Sequence, residues 1–425
     1  MLQVTKLKEL SFLVYGLGLS GQSVVKFLKK NKIRNFHVWD DKKKNLFKKY
    51  RAINLSKTLR KVDYIVLSPG ISLIKNNHLK KFEKKIITDI DLFYLTNIKF
   101  KSIVVTGTNG KSTTCKLLEH LLKKSKLKCL LGGNIGKPVL ELKKTKNKFI
   151  IIEASSFQLA HSKFICPDFA ILVNLTNDHL DWHGNRQNYL NSKLKIFNLQ
   201  KKTQFAIINQ KLKKIFIKKN FSSKLIIPNY KKFKKIKFKI KNDYLNFNIN
   251  DENLSFIYSF SKLLKIKVKT FISAMSTFKG LPHRFEIFLK KKNITFINDS
   301  KATSFRSTQS AISDLKNIYL ILGGLPKKND KINITKYKKN IKKCYLIGKH
   351  INFFKKEIRN ELIYSVTKNL KRSVIEIFSD IKTKRNEKKF VLLSPAAASF
   401  DQYTNFEKRG NEFKELCKIY ARKHF

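Results

Sequence analysis

Residues 106–113 read Thr106-Gly107-Thr108-Asn109-Gly110-Lys111-Ser112-Thr113, and they combine the residue types that hold a phosphate chain. Glycines allow a tight turn in which consecutive backbone N–H groups face one anion, and a helix N-terminus adds its dipole. Lys111 supplies a point charge, and the Ser112 hydroxyl is a hard oxygen ligand for Mg²⁺. The loop is shorter than the usual GxxxxGK(S/T) spacing, with two residues between Gly107 and Gly110. The β-branched run 103–105 before the loop predicts a buried strand, and 112–119 predict a helix. That strand–loop–helix context favours a phosphate cradle over an ordinary glycine turn. Its ligand is then a nucleoside triphosphate with Mg²⁺.

Other residues fit a site of several anions. Glu153 ends a predicted strand over 149–152, so Ser112 and Glu153 are suited to share one ion. His179 lies between Asp178 and Asp181; it reads equally as a ligand for a second ion or as a structural histidine. Lys193, in Tyr189-Leu190-Asn191-Ser192-Lys193, reads by composition as one more solvated lysine on a Lys-rich helix. Arg284 offers a planar fork to nucleotide phosphate. Lys301 and Lys327 can meet carboxylates, with solvated surface charge as the alternative.

These residues need elements to position them. A predicted strand over 12–15 runs into Gly16-Leu17-Gly18-Leu19-Ser20-Gly21, then a helix to about Lys30. A strand over 36–39 follows and ends at Asp40-Asp41. That is a Rossmann-type opening, for which a dinucleotide is one ligand among several. A strand over 64–67 leads into Ser68-Pro69-Gly70-Ile71. Towards the C-terminus, predicted strands over 294–297, 318–322, 345–347 and 391–393 lead into Asp299-Ser300-Lys301-Ala302-Thr303, Gly323-Gly324, Gly348 and Ser394–Ser399. Helices are predicted over 253–264, 308–315 and 406–420, and residues 211–250 read as strands of an insertion. Nearly every motif follows a short apolar strand, the edge at which open α/β sheets bind ligands. The expected architecture is α/β in three domains: Rossmann-like over 1–96, a central P-loop ATPase type over 97–280, and Rossmann-like over 281–425.

Composition sets limits. The chain has 425 residues, of which 42% are apolar, enough for a core in each of three domains. No apolar run reaches the length of a membrane span, and the first residues lack a signal-peptide layout. Five scattered cysteines without a CxxC pair suit free thiols in a reducing cytoplasm. The net charge of +62 invites a nucleic-acid reading. Against it, lysines are spread along the whole chain and Arg is scarce, whereas base-specific readers favour Arg. No specific nucleic-acid partner is expected, and any polyanion binding should be nonspecific.

Taken in order, the motifs resemble the Mur ligase family along the whole chain. They are GLGLSG at 16–21, SPGI at 68–71, TGTNGKST at 106–113, GGNIG at 132–136, EASSFQL at 153–159, NLTNDHLDWHG at 174–184, LPHRFE at 281–286, NDSKAT at 298–303 and SPAAASFDQY at 394–403. The last two resemble the branch that adds D-glutamate to UDP-N-acetylmuramoyl-L-alanine in peptidoglycan precursor synthesis. The resemblance implies an acid–D-amino-acid ligase acting through an acyl phosphate and a tetrahedral adduct, with two Mg²⁺ ions, as a cytoplasmic monomer. It implies catalytic roles for Lys111, Asn134, His179 and Lys193, the last as a carbamate that ligates metal beside Ser112, Glu153 and His179. It matches Gly107, Thr108, Asn109, Gly110, Lys111, Ser112, Thr113, Asn253, Arg284 and Asp299 to ATP. Leu19, Ser20, Asp40, Asp41, Gly70 and Asn134 match the uridine-substrate site, and Lys301, Thr303, Lys327, Ser399 and Phe406 match the D-glutamate pocket.

Overall fold

The computed structural model describes residues 4–96, 100–142, 148–176, 178–327, 333–358, 361–381 and 387–425. Its strands form three sheets. The first contains β1 (Phe12–Tyr15), β2 (Phe36–Trp39), β3 (Tyr64–Leu67) and β4 (Ile86–Ile87), in the order β2-β1-β3-β4. The second contains β5 (Lys101–Thr106), β6 (Cys129–Gly133), β7 (Phe149–Glu153), β8 (Phe169–Leu172), β9 (Phe205–Ile208) and β10 (Lys224–Ile226), in the order β10-β9-β8-β5-β7-β6. The third contains β11 (Glu286–Lys291), β12 (Ile294–Asn298), β13 (Ile318–Gly323), β14 (Ile341–Ile347), β15 (Tyr364–Lys368) and β16 (Lys389–Leu393), in the order β11-β12-β16-β13-β14-β15. Every pairing is parallel except β11 with β12.

Short apolar runs become these strands because both faces are covered, so near-continuous hydrophobic segments are stable there. β7 and β13 are buried along their whole length. Strand order then sets the ligand edges. β1 lies between β2 and β3, and β5 between β8 and β7, so the chain leaves each in a crevice where the order reverses. The 16–21 turn and the 107–110 loop occupy those two crevices.

Contacts divide the chain into two compact units, each described by itself. One takes residues 1–240 and 252–276 and carries the first two sheets; the other takes 241–251 and 277–425 and carries the third. Residues 211–250 carry more helix than strand, not the strands expected. They hold helices Lys213–Lys218 and Tyr230–Lys237, with β10 the only strand among the described residues there. Their Lys–Phe–Ile pattern follows helical spacing: Phe216 and Phe233 are buried while the lysines around them face outward.

Candidate active site

The phosphate loop joins β5 to the helix Lys111–Lys124. Gly110 caps that helix at φ +80, a region that costs other residues strain, and a Cβ there would stand 2.4 Å from Asn253 Oδ1. Asn253 Oδ1 also accepts from Thr114 Oγ1 at 3.2 Å, so this expected ATP residue packs against the loop. Thr108 N donates to Asn174 O at 3.0 Å, and Asn109 N to Asn174 Oδ1 at 3.0 Å. Asn174 in turn donates to Glu252, which also accepts from Asn209 at 2.6 Å. Lys111 Nζ folds back onto Gly107 O and Thr108 O, both at 2.8 Å. Ser112 and Thr113 are buried at the helix start.

Glu153 sits beside the loop because the β5–β7 register sets it opposite Val105. Asn134 N donates to Glu153 O at 2.8 Å, and Asn134 Nδ2 to Glu153 Oε1 at 2.9 Å. Gly133 makes this approach possible, since a Cβ there would lie 2.4 Å from Glu153 O. Oε2 of Glu153 is buried and has no hydrogen-bond donor among the described residues. A buried carboxylate oxygen left unmatched is what a hard cation would satisfy. The donor set therefore fits Mg²⁺, although no cluster of three or more His, Cys, Asp or Glu occurs among the described residues.

Lys193 departs from its compositional reading. It is 1% exposed, and Nζ donates to Gly107 O at 2.8 Å while lying 4.8 Å from the Tyr189 ring centre. The helix Arg186–Asn198 points it inward together with Tyr189 and Ile196. Burial, then the charge of Lys111, holds its ammonium well below the usual lysine range. His179 is in a left-handed conformation at φ +52, its Nε2 3.4 Å from Asp178 Oδ2 and its ring 4.7 Å from that of Phe157.

At the first sheet, Asp40 tightens its own loop. It accepts from Leu17 N at 2.6 Å, Lys43 N at 2.8 Å and Lys42 N at 2.9 Å. Burial opposes ionisation, but those three N–H groups outweigh it and lower its pKa. Asp41 accepts from Trp39 Nε1 at 2.9 Å, and Arg51 stacks over Trp39 at 4.2 Å. Gly21 is required, because a Cβ would lie 1.8 Å from Gly16 O. Leu19 is 81% exposed at the helix start, with Ser20 beside it, and Gly70 is exposed in the loop after β3.

In the other unit, Asp299 follows β12. Its Oδ1 accepts from Phe285 N at 3.0 Å and its Oδ2 from Ser394 Oγ at 2.8 Å. Burial pushes its carboxyl up to about 7, against those two hydrogen bonds and the charge of Arg284. Lys301 Nζ lies 3.6 Å from the centre of the Phe406 ring. Ser399 is buried, and its carbonyl accepts from Tyr403 N at 2.8 Å. Thr303 and Lys327 lie in the loops after β12 and β13. Lys328, beside Lys327, and Asn177 of the 174–184 motif lie outside the described residues.

Comparison with known proteins agrees with this layout. The Mur ligase middle domain model matches residues 105–277. The UDP-N-acetylmuramoylalanine–D-glutamate ligase of Rickettsia prowazekii (strain Madrid E) is 36% identical, over 95% of this chain and 97% of the relative. The ligase of the same name from Buchnera aphidicola subsp. Schizaphis graminum is 37% identical, over 96% of this chain and 97% of its own. The chain belongs to the Mur ligase family. Among solved structures, MurF ligase from Thermotoga maritima in complex with ADP has the same fold, with TM-score 0.59 and 16% identity over 100% of this chain and 98% of that one. UDP-N-acetylmuramate-alanine ligase MurC from the same organism gives TM-score 0.57 and 13% identity, over 97% and 100%.

Within this Mur ligase, several site-supporting residues carry no plain sequence signal. His183 is buried with Nε2 3.0 Å from Ser156 Oγ, and burial pulls its pKa down to about 4. Glu252 and Asn209 reach the phosphate loop through Asn174, so no local motif marks them. Arg409 reads as one basic residue on a helix, yet it is 1% exposed.

Proposed function

We propose that this chain is an ATP-dependent amide ligase joining D-glutamate to the L-alanine carboxylate of UDP-N-acetylmuramoyl-L-alanine. The observation that carries the chemistry is the 107–113 loop, with Lys193 buried against Gly107 and an unmatched Glu153 oxygen at the neighbouring strand end. The acceptor and the amino acid rest on the names of relatives that match over nearly their full length.

The loop N–H groups and Lys111 hold the β- and γ-phosphates, and Lys111 offsets charge as the γ-phosphoryl passes to the substrate carboxylate. Asn134, fixed on Glu153, would steady the pyrophosphate and the reacting carboxylate. The amine of D-glutamate attacks the acyl phosphate, and the tetrahedral adduct expels phosphate to leave the amide. Ser112, Glu153, His179 and Lys193 as a carbamate would hold two Mg²⁺ ions, whose chemistry is to neutralise charge on the transferring phosphoryl group. Leu19, Ser20, Asp40, Asp41 and Gly70 form the uridine edge. Asn253, Arg284 and Asp299 serve ATP. Lys301, Thr303, Lys327, Ser399 and Phe406 take the two carboxylates of D-glutamate. No helix among the described residues is long and apolar enough to cross a membrane; we read the enzyme as a cytoplasmic monomer.

The test is phosphate release and amide formation with ATP, Mg²⁺, UDP-N-acetylmuramoyl-L-alanine and D-glutamate. Omitting any one should stop turnover. Equal rates with L-glutamate would remove the D-glutamate assignment.

A further inference from the structure

Arg409 is among the largest fully buried side chains, on the helix Phe406–His424. Its guanidinium reaches three separate loops at the carboxyl edge of the third sheet. Nη2 donates to Ser300 O at 2.8 Å and to Ala397 O at 3.0 Å, Nη1 to Gly323 O at 3.4 Å, and Nε to Ser300 Oγ at 3.0 Å. Ser300 Oγ donates in turn to Phe406 O at 2.9 Å, tying the β12 loop to the start of the helix. Gly324 admits the fork: a Cβ there would stand 3.1 Å from Nη1, and φ is +128.

These loops carry the residues assigned to the amino-acid pocket. Lys301 and Thr303 follow Ser300, Lys327 follows Gly323, Ser399 follows Ala397, and Phe406 opens the helix itself. The acceptors of Arg409 are all carbonyl or hydroxyl oxygens, and among the described residues no carboxylate forms an ion pair with it. Burial draws its pKa down to about 10, against the charge of Asp401, so it is charged at neutral pH. A buried cation whose nearest carboxylate charge, Asp401, makes no direct ion pair with it is costly for stability alone. An amino acid with two carboxylates bound in the pocket would recover part of that cost.

We infer that Arg409 is a positioning residue for the amino-acid substrate: it locks the loops after β12, β13 and β16 in one geometry and lends the pocket a fixed positive field. This rests on the D-glutamate reading above. A lysine in its place keeps the charge but cannot make a planar fork to three loops.

The experiment compares full-length wild type with Arg409→Lys and Arg409→Met, measuring KM for each of the three substrates, kcat and thermal unfolding. Arg409→Met should raise the KM for D-glutamate on the order of tenfold or more, since small misplacement of binding groups has effects of that size. Arg409→Lys should fall between the two. KM for ATP and for the uridine substrate should stay within about threefold. Ser300→Ala, which keeps Arg409 but cuts the relay to Phe406, should raise the D-glutamate KM alone by a smaller factor, and it serves if Arg409→Met does not fold. An unchanged D-glutamate KM in folded variants, or a proportional rise in all three, would overturn the inference while the ligase reading stands. Wild type that forms no amide with D-glutamate would remove both.

Discussion

Lys193 Nζ and Gly107 O are 2.8 Å apart, and Lys111 Nζ reaches the same carbonyl at the same distance. Burial, and then repulsion between two ammonium groups on one acceptor, holds the Lys193 pKa well below the usual lysine range. Carbamylation requires a neutral amine, so this lowering favours the carbamate proposed above. Lys193→Ala should lose nearly all ligase activity and recover part of it with added short carboxylates, which can occupy the vacated position. Lys195→Ala should stay close to wild type, because Lys195 Nζ donates instead to Ala160 O. Full activity of Lys193→Ala in bicarbonate-free buffer would return Lys193 to a packing role.

Lys111→Ala should abolish phosphate release and leave uridine-nucleotide binding near wild type. The 107–113 loop and the 16–21 turn stand on different sheets with no shared strand, so their binding energies should be nearly independent. Equal loss of both in a folded variant would argue that the uridine edge lies elsewhere.

Gly110→Ala tests the loop geometry itself. A methyl at φ +80 is strained, and it would also drive Asn253 away from Thr114. We expect a stability loss of roughly 1–3 kcal/mol and ATP affinity lowered at least tenfold, read by thermal unfolding and nucleotide titration. Wild-type ATP affinity in this variant would show that the loop relaxes freely.

The net charge of +62 predicts nonspecific polyanion binding only. DNA or RNA affinity should fall steeply between low and physiological salt, with no base preference, because phosphate contacts carry no sequence information. Tight, sequence-selective binding at physiological salt would oppose this.

Strands were legible where apolar runs were short and bounded by glycine or acid motifs, as at β1, β2 and β3 and before the phosphate loop. β6, with two glycines in Cys129–Gly133, and β11, with Lys290 and Lys291 at its end, lack that apolar signature. The Lys-rich stretch around Phe233 hid a helix because lysine suits exposed positions in either period. In the site, loop residues were legible because their spacing is itself the chemistry. Lys193 was legible only through the family resemblance and Arg409 not at all, because in a chain with 91 Lys and Arg nothing local distinguishes a buried cation from a solvated one. Only the third dimension shows that one meets Gly107 and the other Ser300, Gly323 and Ala397.

Asp299 gives a pH signature with a definite sign. Burial raises its carboxyl to about 7 in the folded protein, above the ordinary 3.8. Between those values the folded state holds a proton that the unfolded chain has released, so stability falls as pH climbs from about 4 to about 7 and this contribution levels off above. The Asp299→Asn variant has no such titration. The introduced amide oxygen can take the Phe285 N–H, and the introduced NH₂ can face Ser394 Oγ, whose proton is free to turn to Thr308 Oγ1 at 3.0 Å. Asp299→Asn should therefore gain on wild type as pH rises through that window, by on the order of a degree or more in Tm, while losing ligase activity if Asp299 serves ATP. The measurement is Tm against pH for both ligand-free proteins. Parallel curves would mean that Asp299 is already ionised across the range and that its buried carboxylate is offset by Arg284 and its two hydrogen bonds.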